Sequence, residues 1–598
     1  MRPLMIFVFA TAIPFSAHAQ SAYGRIVGRV TDAAGAVVPG ASIRVVHIET
    51  NAGTSASTNA EGNFDLQNLA PGDYRLTAEM QGFKRYERGP VEVRVGDVLS
   101  LDVALELGLV SEQVTVTAEA PLLESSTASL GQVIDHRQIL DLPLPGASPM
   151  YLMQLTPSVI STNPPTHGWL PQAVDAVSNI ATSGTRTRSS EFTLDGIPNM
   201  TQDGQLSFSP PPEMVQEFRV QTAAFDASIG HFTGAHVNMV LKTGSNSLHG
   251  NLVFSHLSRP LMTKDFFTNR SIYDTRTGPV TPDKLASLWP PVLTNRYRAS
   301  AGGPVYLPKL YDGRNRTFWI YGFDLMDRVR PESAFFTVPT PRQRQGDFSE
   351  LLALGSTYQV CDPATIAAAP AGRFSRQTFP GNRIPASRID PMAAKILAYF
   401  PAPNATGSAD GRTNYFDPQP RRIDFHSSTL RVDQVVSERN RLYVSFSRSF
   451  LDTTWQRAFH NEARGQARNR FHNGVALDDV MMLRPNLVLN LRYGMTRYIQ
   501  WDRPTSLGFN LAPLGFPSSL VSALDSAITA FPNIVIDGYT QLGGTSGTKA
   551  PTTYHTLAGS ASHMRGNHGL RFGGDFRALR ENNFNHGNIS PRIEFGTQ

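Results

Sequence analysis

The stretch LVLNLRYGMTRYIQ, Leu487–Gln500, decides the fold. Leu487, Leu489, Leu491, Tyr493, Met495 and Ile499 fall on one face of an extended strand, and only Arg497 breaks that face. Asn490, Arg492, Thr496 and Gln500 fall on the other. A period of two with one apolar and one polar side describes a strand between an apolar medium and a wet one. The pattern recurs. Trp319, Tyr321, Phe323 and Leu325 make an apolar face beside Gly322 and Asp324. Leu442, Val444 and Phe446 alternate with Tyr443, Ser445 and Ser447, and Leu570, Phe572 and Phe576 with Arg571, Gly573 and Asp575. Segments of about ten residues with this dyad repeat are the mark of a transmembrane β-barrel, lipid outside and water inside.

A large soluble sandwich also alternates, so the connections decide. Strands are expected near residues 247–257, 294–306, 315–327, 425–436, 440–450, 472–483, 487–500, 553–564 and 568–579. The links after the second, fourth, sixth and eighth are short. Those after the first, third, fifth and seventh are long, notably 328–424 and 501–552. Outer-membrane barrels alternate short periplasmic turns with long outer loops in this way, and a sandwich has no reason to.

Working outward, the chain begins with Arg2, an apolar run from Leu4 to Phe15, and Ala17-His18-Ala19 before Gln20. This is the form of a signal peptide over 1–19, cleaved near Ala19-Gln20, and the apolar run is too short to span a bilayer. The single Cys361 cannot make an internal disulfide. Charged residues are 17% of the chain, with 48 Gly and 43 Pro, which favours β structure rich in turns. The net charge of +5 comes without a basic stripe interleaved with aromatics, so nucleic acid is not an expected partner.

Ahead of the barrel strands lie three further regions. Residues 24–107 carry short strands at regular turn spacing, as in GRIVGRVTDAAGAVVPGASIRVV and EGNFDLQNLAPGDYRLTAEMQGF, and read as a small β-sandwich. Residues 121–244 read as a small α/β globule. IDHRQILDLPL and ASPMYLMQLTP form short helices stopped by proline, and SEFTLDGIPN a strand running into a turn at Asp195-Gly196. Between the two regions, SEQVTVTAEAP over Ser111–Pro121 is a short strand with no hairpin partner beside it.

The first region resembles the carboxypeptidase regulatory-like, transthyretin-like domain through Gly28, Val30, Asp32, Gly35, Pro39, Gly40, Gly62, Phe64, Pro71, Gly72, Tyr74, Gly82 and Phe83. Those residues serve turns and core, so they imply fold and not chemistry. The whole order resembles a TonB-dependent outer-membrane receptor of the Oar-like kind. The stretches EFTLDGIPN, PEMVQEFRVQTAAFDASIG, GAHVNMVLKTGSNSLHG, GDFSELL and FPGNRIPASRIDPMAAKILAYFPAPN carry that resemblance. It implies a plug over 121–244 inside a barrel that starts at 245. It also implies a TonB box at Glu112, Gln113, Val114, Thr115, Val116 and Thr117, where a TonB-like periplasm-spanning protein would add a strand. The implied product is a transporter for an extracellular siderophore, oligosaccharide or peptide. The alternative is a surface adhesion or structural protein.

Other candidates resolve to local roles. Asp195-Gly196 is a plug turn, set by glycine at positive φ. His231, His236 and His249 are irregularly spaced, and no metal is expected there. Lys242-Thr243-Gly244 lacks the rest of a phosphate loop. No catalytic constellation and no cofactor site are nominated. Barrels of the resembled family have about 22 strands, so about nine would form only the first part of a wall.

Overall fold

The computed structural model describes residues 23–109, 113–117, 130–161, 178–223, 227–275, 278–289, 292–331, 334–417, 420–455, 457–543, 547–566, 568–585, 587 and 589–596. The signal-peptide stretch and Glu112 lie outside them.

The N-terminal unit is two packed sheets. β1 (Gly24–Asp32), β4 (Asn63–Leu69), β7 (Val98–Ser100) and β8 (Val103–Leu105) form one. β2 (Ser42–His47), β3 (Gly53–Ser57), β5 (Gly72–Glu79), β6 (Arg85–Val93) and β9 (Gln113–Thr117) form the other, in the order β3-β2-β5-β6-β9. Alternate residues face the shared core: Ile26 and Val30, Ile43 and Val45, Phe64 and Leu66, Tyr74 and Leu76.

The globule that follows is built on β10 (Leu130–Asp135), β13 (Glu191–Leu194), β14 (Ile197–Pro198), β15 (Val215–Ala223) and β16 (His236–Leu241), in the order β10-β15-β16-β13-β14. A small pair, β11 (Val159–Ser161) and β12 (Ile180–Thr182), stands apart. The first expected helix is α1 (His136–Asp141), which starts on a capping box between Asp135 and Gln138. The second is a 3-10 helix at Pro149–Leu155. Ile134, Ile139, Met153, Phe192, Phe218, Val220 and Val237 close the core.

Nine long strands then form one antiparallel sheet in chain order. They are β17 (His249–Ser258), β18 (Leu293–Pro304), β19 (Thr317–Pro331), β20 (Pro420–Ser437), β21 (Asn440–Trp455), β22 (Gln466–Arg484), β23 (Leu487–Pro504), β24 (Thr548–Arg565) and β25 (His568–Glu581). Each matches an expected strand. Several run longer, because pairing continues past the apolar band into polar rims. Among the described residues β17 and β25 are the ends of the sheet's order, so the wall is open there and not a closed ring.

The faces differ as the alternation requires. Leu252, Tyr321, Phe446, Leu491, Leu557 and Phe576 are exposed on the outer side, from 41% for Tyr321 to 76% for Leu252. No second sheet covers them among the described residues. Arg296, Asp324, Arg431, Asp478, Arg492 and Thr496 are buried on the inner side. The inner side wraps the globule. Strands β18 to β25 each touch it, from Arg296 on the Gly146 carbonyl to Arg577 on Glu191. The globule is therefore seated as a plug.

The two ends of the wall carry different partners. At the short-link end sits the sandwich: Asn51 meets Asn315, Asn59 donates to the Gly566 carbonyl, and Arg44 pairs with Glu438. At the other end the long links form a cap with its own core. Val338, Phe400, Tyr415, Phe459, Leu514, Phe531 and Leu542 pack together there. Cys361, a free cysteine, lies in the long link that feeds the cap, its backbone paired antiparallel with that of Thr378.

Candidate coupling strand and plug contacts

Gln113 to Thr117 of the expected coupling segment form β9, and the structure corrects the reading that this strand lacks a partner. It pairs in parallel with β6, from Arg85↔Gln113 to Gly89↔Thr117. The reason is topological. A parallel neighbour needs a crossover, and β7 and β8 supply it between β6 and β9. Local spacing reveals hairpins and misses such pairs. The ladder ends next to Pro90, which has no N–H to donate. Val114 is half-buried beside buried Tyr86, whereas Thr115 is exposed, so β9 lays one face on the sandwich. It is the last strand in its sheet's order.

Asp195 and Gly196 sit at φ 51° and 76°, two successive left-handed residues that close the β13–β14 hairpin. Turn chemistry is only half of their role. The Asp195 carboxylate accepts the Leu241 N–H at 3.0 Å and pairs with Arg431 at 3.2 Å. Burial pushes this carboxyl up from its ordinary value, and Arg431 opposes that rise. Arg431 also pairs with Asp433 at 2.8 Å and stacks 4.0 Å over the Tyr443 ring. A Cβ on Gly196 would lie 2.0 Å from an Arg492 nitrogen. Arg492 in turn pairs with Asp478 at 2.6 Å, both fully buried. Opposite the same hairpin, a Cβ on Gly494 would lie 2.3 Å from Ile197. Thr496 donates to the Pro198 carbonyl at 2.8 Å. The hairpin tip is thus keyed into the wall. Arg431 and Tyr443 escape sequence reading as plug contacts; the one available signal is polarity on the inner face of a membrane strand.

Three groups of contacts tie the remaining parts. The turn after β6 grips the plug: the Val95 N–H donates to Glu217, and Arg219 donates to the Val95 carbonyl at 3.0 Å and to Asp97 at 2.9 Å. The Val95 side chain packs on Val240. Burial first, then Asp97 and Glu92, push the Glu217 carboxyl up to about 8 against the Val95 N–H and Arg94. Tyr23 donates to Asp478 at 2.6 Å, tying the start of the sandwich to the wall. Lys242, at the plug-to-wall junction, lies 2.7 Å from His136, whose other ring nitrogen faces the Val215 carbonyl. Burial and Lys242 lower the His136 pKa.

The three histidines noted in the sequence are not brought together. His231 lies 3.4 Å from Asp575, His236 stacks on Phe232, and His249 contacts Ser245. Burial, then Arg577, lowers His236 to about 3, so it is neutral. A cavity of about 520 Å³ opens between α1 and the first wall strands, lined by Ile139, Leu142, Arg296, Arg298 and Arg328.

Residues 240–598 match the family described as outer membrane beta barrel domain, and residues 25–106 match the carboxypeptidase regulatory-like domain. The chain is 24% identical over 317 residues to the TonB-dependent transporter Oar of Myxococcus xanthus, a match covering 51% of this chain and 27% of that relative. Among solved structures, the outer membrane transporter YddB from Escherichia coli is similar at 10% identity and a TM-score of 0.47, over 75% of this chain and 48% of that one. The siderophore receptor PirA from Acinetobacter baumannii is similar at 11% identity and a TM-score of 0.40, over 78% of this chain and 50% of that one.

Proposed function

The chain belongs to the outer membrane beta barrel domain family, and from that premise we propose that it acts as a TonB-dependent receptor, importing an extracellular ligand past its plug. The carrying observation is the seating of the plug: strands β18 to β25 each hold it against their inner, polar face, while their outer face is apolar and exposed. In a closed barrel of this kind the plug bars passage until it shifts, and the outer membrane has no ATP to shift it. Work has to arrive from the inner membrane through a periplasm-spanning partner. An extended segment that can pair with a partner strand is the physical means, and β9, with Glu112 before it, is the candidate. The sandwich and β9 stand at the short-link end, which this topology assigns to the periplasm. The cap would receive the ligand, whose class is siderophore, oligosaccharide or peptide. The role is transport and not catalysis, in keeping with the relative's description as a transporter.

The test is deletion of residues 112–117 from the receptor in its outer membrane. Capture of the partner's periplasmic domain is expected to be lost, while heat-modifiable gel mobility of the barrel persists. Retained capture would reduce the segment to a linker. The cap, a folded outer surface with its own core, favours one second reading, surface adhesion. Dependence of plug movement on the proton-motive force separates the two.

A further inference from the structure

We propose that the sandwich is a force-transmitting link: a pull applied at β9 reaches plug strand β15 through β6 and the turn Val95–Asp97. The proposal rests on the reading of β9 as the coupling strand and adds the route by which its load reaches the plug.

Two paths lead from β9 to the plug. The covalent one runs through residues 118–129, twelve residues that span at most about 40 Å. The other is already closed. β9 lies parallel to β6, so a pull along its axis loads the ladder in shear, and its hydrogen bonds share the force. β6 ends at Val93, two residues before the turn that grips the plug. There the Val95 N–H meets Glu217, its carbonyl accepts from Arg219, its side chain packs on Val240, and Asp97 pairs with Arg219. The Asp97 and Arg219 side chains are 6% and 5% exposed, so the pair is shielded from water. β15 is the strand next to β16 in the middle of the plug sheet. One end of β6 therefore holds the coupling strand and the other holds the plug.

The sandwich is also tied to the wall, which does not move. Two of those ties, Arg44–Glu438 and Asn51–Asn315, are exposed, and exposed pairs hold weakly. The half-buried ties are Tyr23 to Asp478, Asn59 to the Gly566 carbonyl and Arg441 to the Asn68 carbonyl. Under load the rim ties yield first and the buried grip on β15 last, so the plug strand follows the sandwich.

The experiment uses the full chain in the outer membrane of a diderm host carrying the partner, with Cys361→Ser and a reporter Ser207→Cys buried between plug and wall. The readout is the rate of labelling by a small hydrophilic maleimide, with the proton-motive force intact and collapsed. In the parent chain the force stimulates labelling. Asp97→Arg, which sets two cations together, is expected to cut the stimulation about tenfold, because one partner of a buried pair is lost. Capture of the partner's periplasmic domain should be unchanged. The swap Asp97→Arg with Arg219→Asp restores the stimulation, and Tyr23→Phe, which loosens one wall tie, raises it. Undiminished stimulation in Asp97→Arg, a swap that fails to restore it, a fall in Tyr23→Phe, or lost capture in Asp97→Arg would overturn the link. Deleting residues 113–117 tests the underlying reading separately. Stimulation that survives the deletion sinks the coupling strand itself, whereas stimulation lost there but intact in Asp97→Arg sinks only the link.

Discussion

At the scale of single residues, Glu217 gives the grip on the sandwich a pH dependence of definite sign. Its folded pKa is about 8 against an ordinary 4.5. Between those values the folded chain holds a proton that the unfolded chain has released. Linkage then makes stability fall as pH rises through the window and level off above it. Arg94, Glu92, Asp97 and Arg219 face the carboxyl and set this shift or the turn around it. Glu217→Gln should abolish the Glu217 part of the dependence. The difference in urea midpoint between parent and variant, followed from pH 5 to 8, should grow in favour of the variant. Equal midpoints throughout would mean that Glu217 is not protonated in the fold. Gly494 makes a second residue-scale prediction. A side chain there would overlap Ile197, and an overpacked contact costs about 1–3 kcal/mol. Gly494→Ala should expose the plug to protease, and adding Ile197→Ala should reverse the effect. The pairing of Gly494 with Ile197 was not legible in the sequence: the two are far apart along the chain, and no periodicity links them.

At the scale of elements, legibility followed the source of the signal. All nine wall strands were readable, because burial on one face and lipid on the other write a period of two into every strand. Their ends were not, because beyond the apolar band both faces are polar and the pattern stops before the pairing does. Arg497, which breaks the outer face of β23, stands in register with Asn473 of β22, and Asn473 with Arg448 of β21. The interruption is therefore shared by three strands and is not an isolated exception. β9 was readable as a strand, but its partner was not, since a parallel pair leaves no local trace. The outer face itself can be checked. Leu491→Arg puts a charge on the lipid side, a change worth about 2–4 kcal/mol near the bilayer centre. It should lower the temperature at which the barrel loses its folded gel mobility, and an unchanged temperature would count against lipid contact at that position.

At the scale of the whole molecule, the order of parts along the chain becomes an order along one axis: sandwich, plug within wall, then cap. The sequence supports this much, because alternating link lengths assign the two ends. It is silent on how the parts grip one another. Tyr23 finds Asp478, Arg577 finds Glu191 and Arg441 finds the Asn68 carbonyl across hundreds of residues. Each is a single polar side chain in a strand that would read the same with another polar residue there. The candidate site was therefore visible as a segment and a turn, while the arginines and carboxylates that lock them were visible only as polar positions.

The cap has a kinetic implication. Residues from links far apart in the chain, Phe400, Phe459 and Phe531 among them, share one apolar nucleus at the long-link end of the wall. Loops that fluttered independently would open by degrees, whereas these cannot part without wetting that nucleus together. On the proposed import reading, admission from outside would be one concerted event, and the arriving molecule would meet a door that is either shut or open.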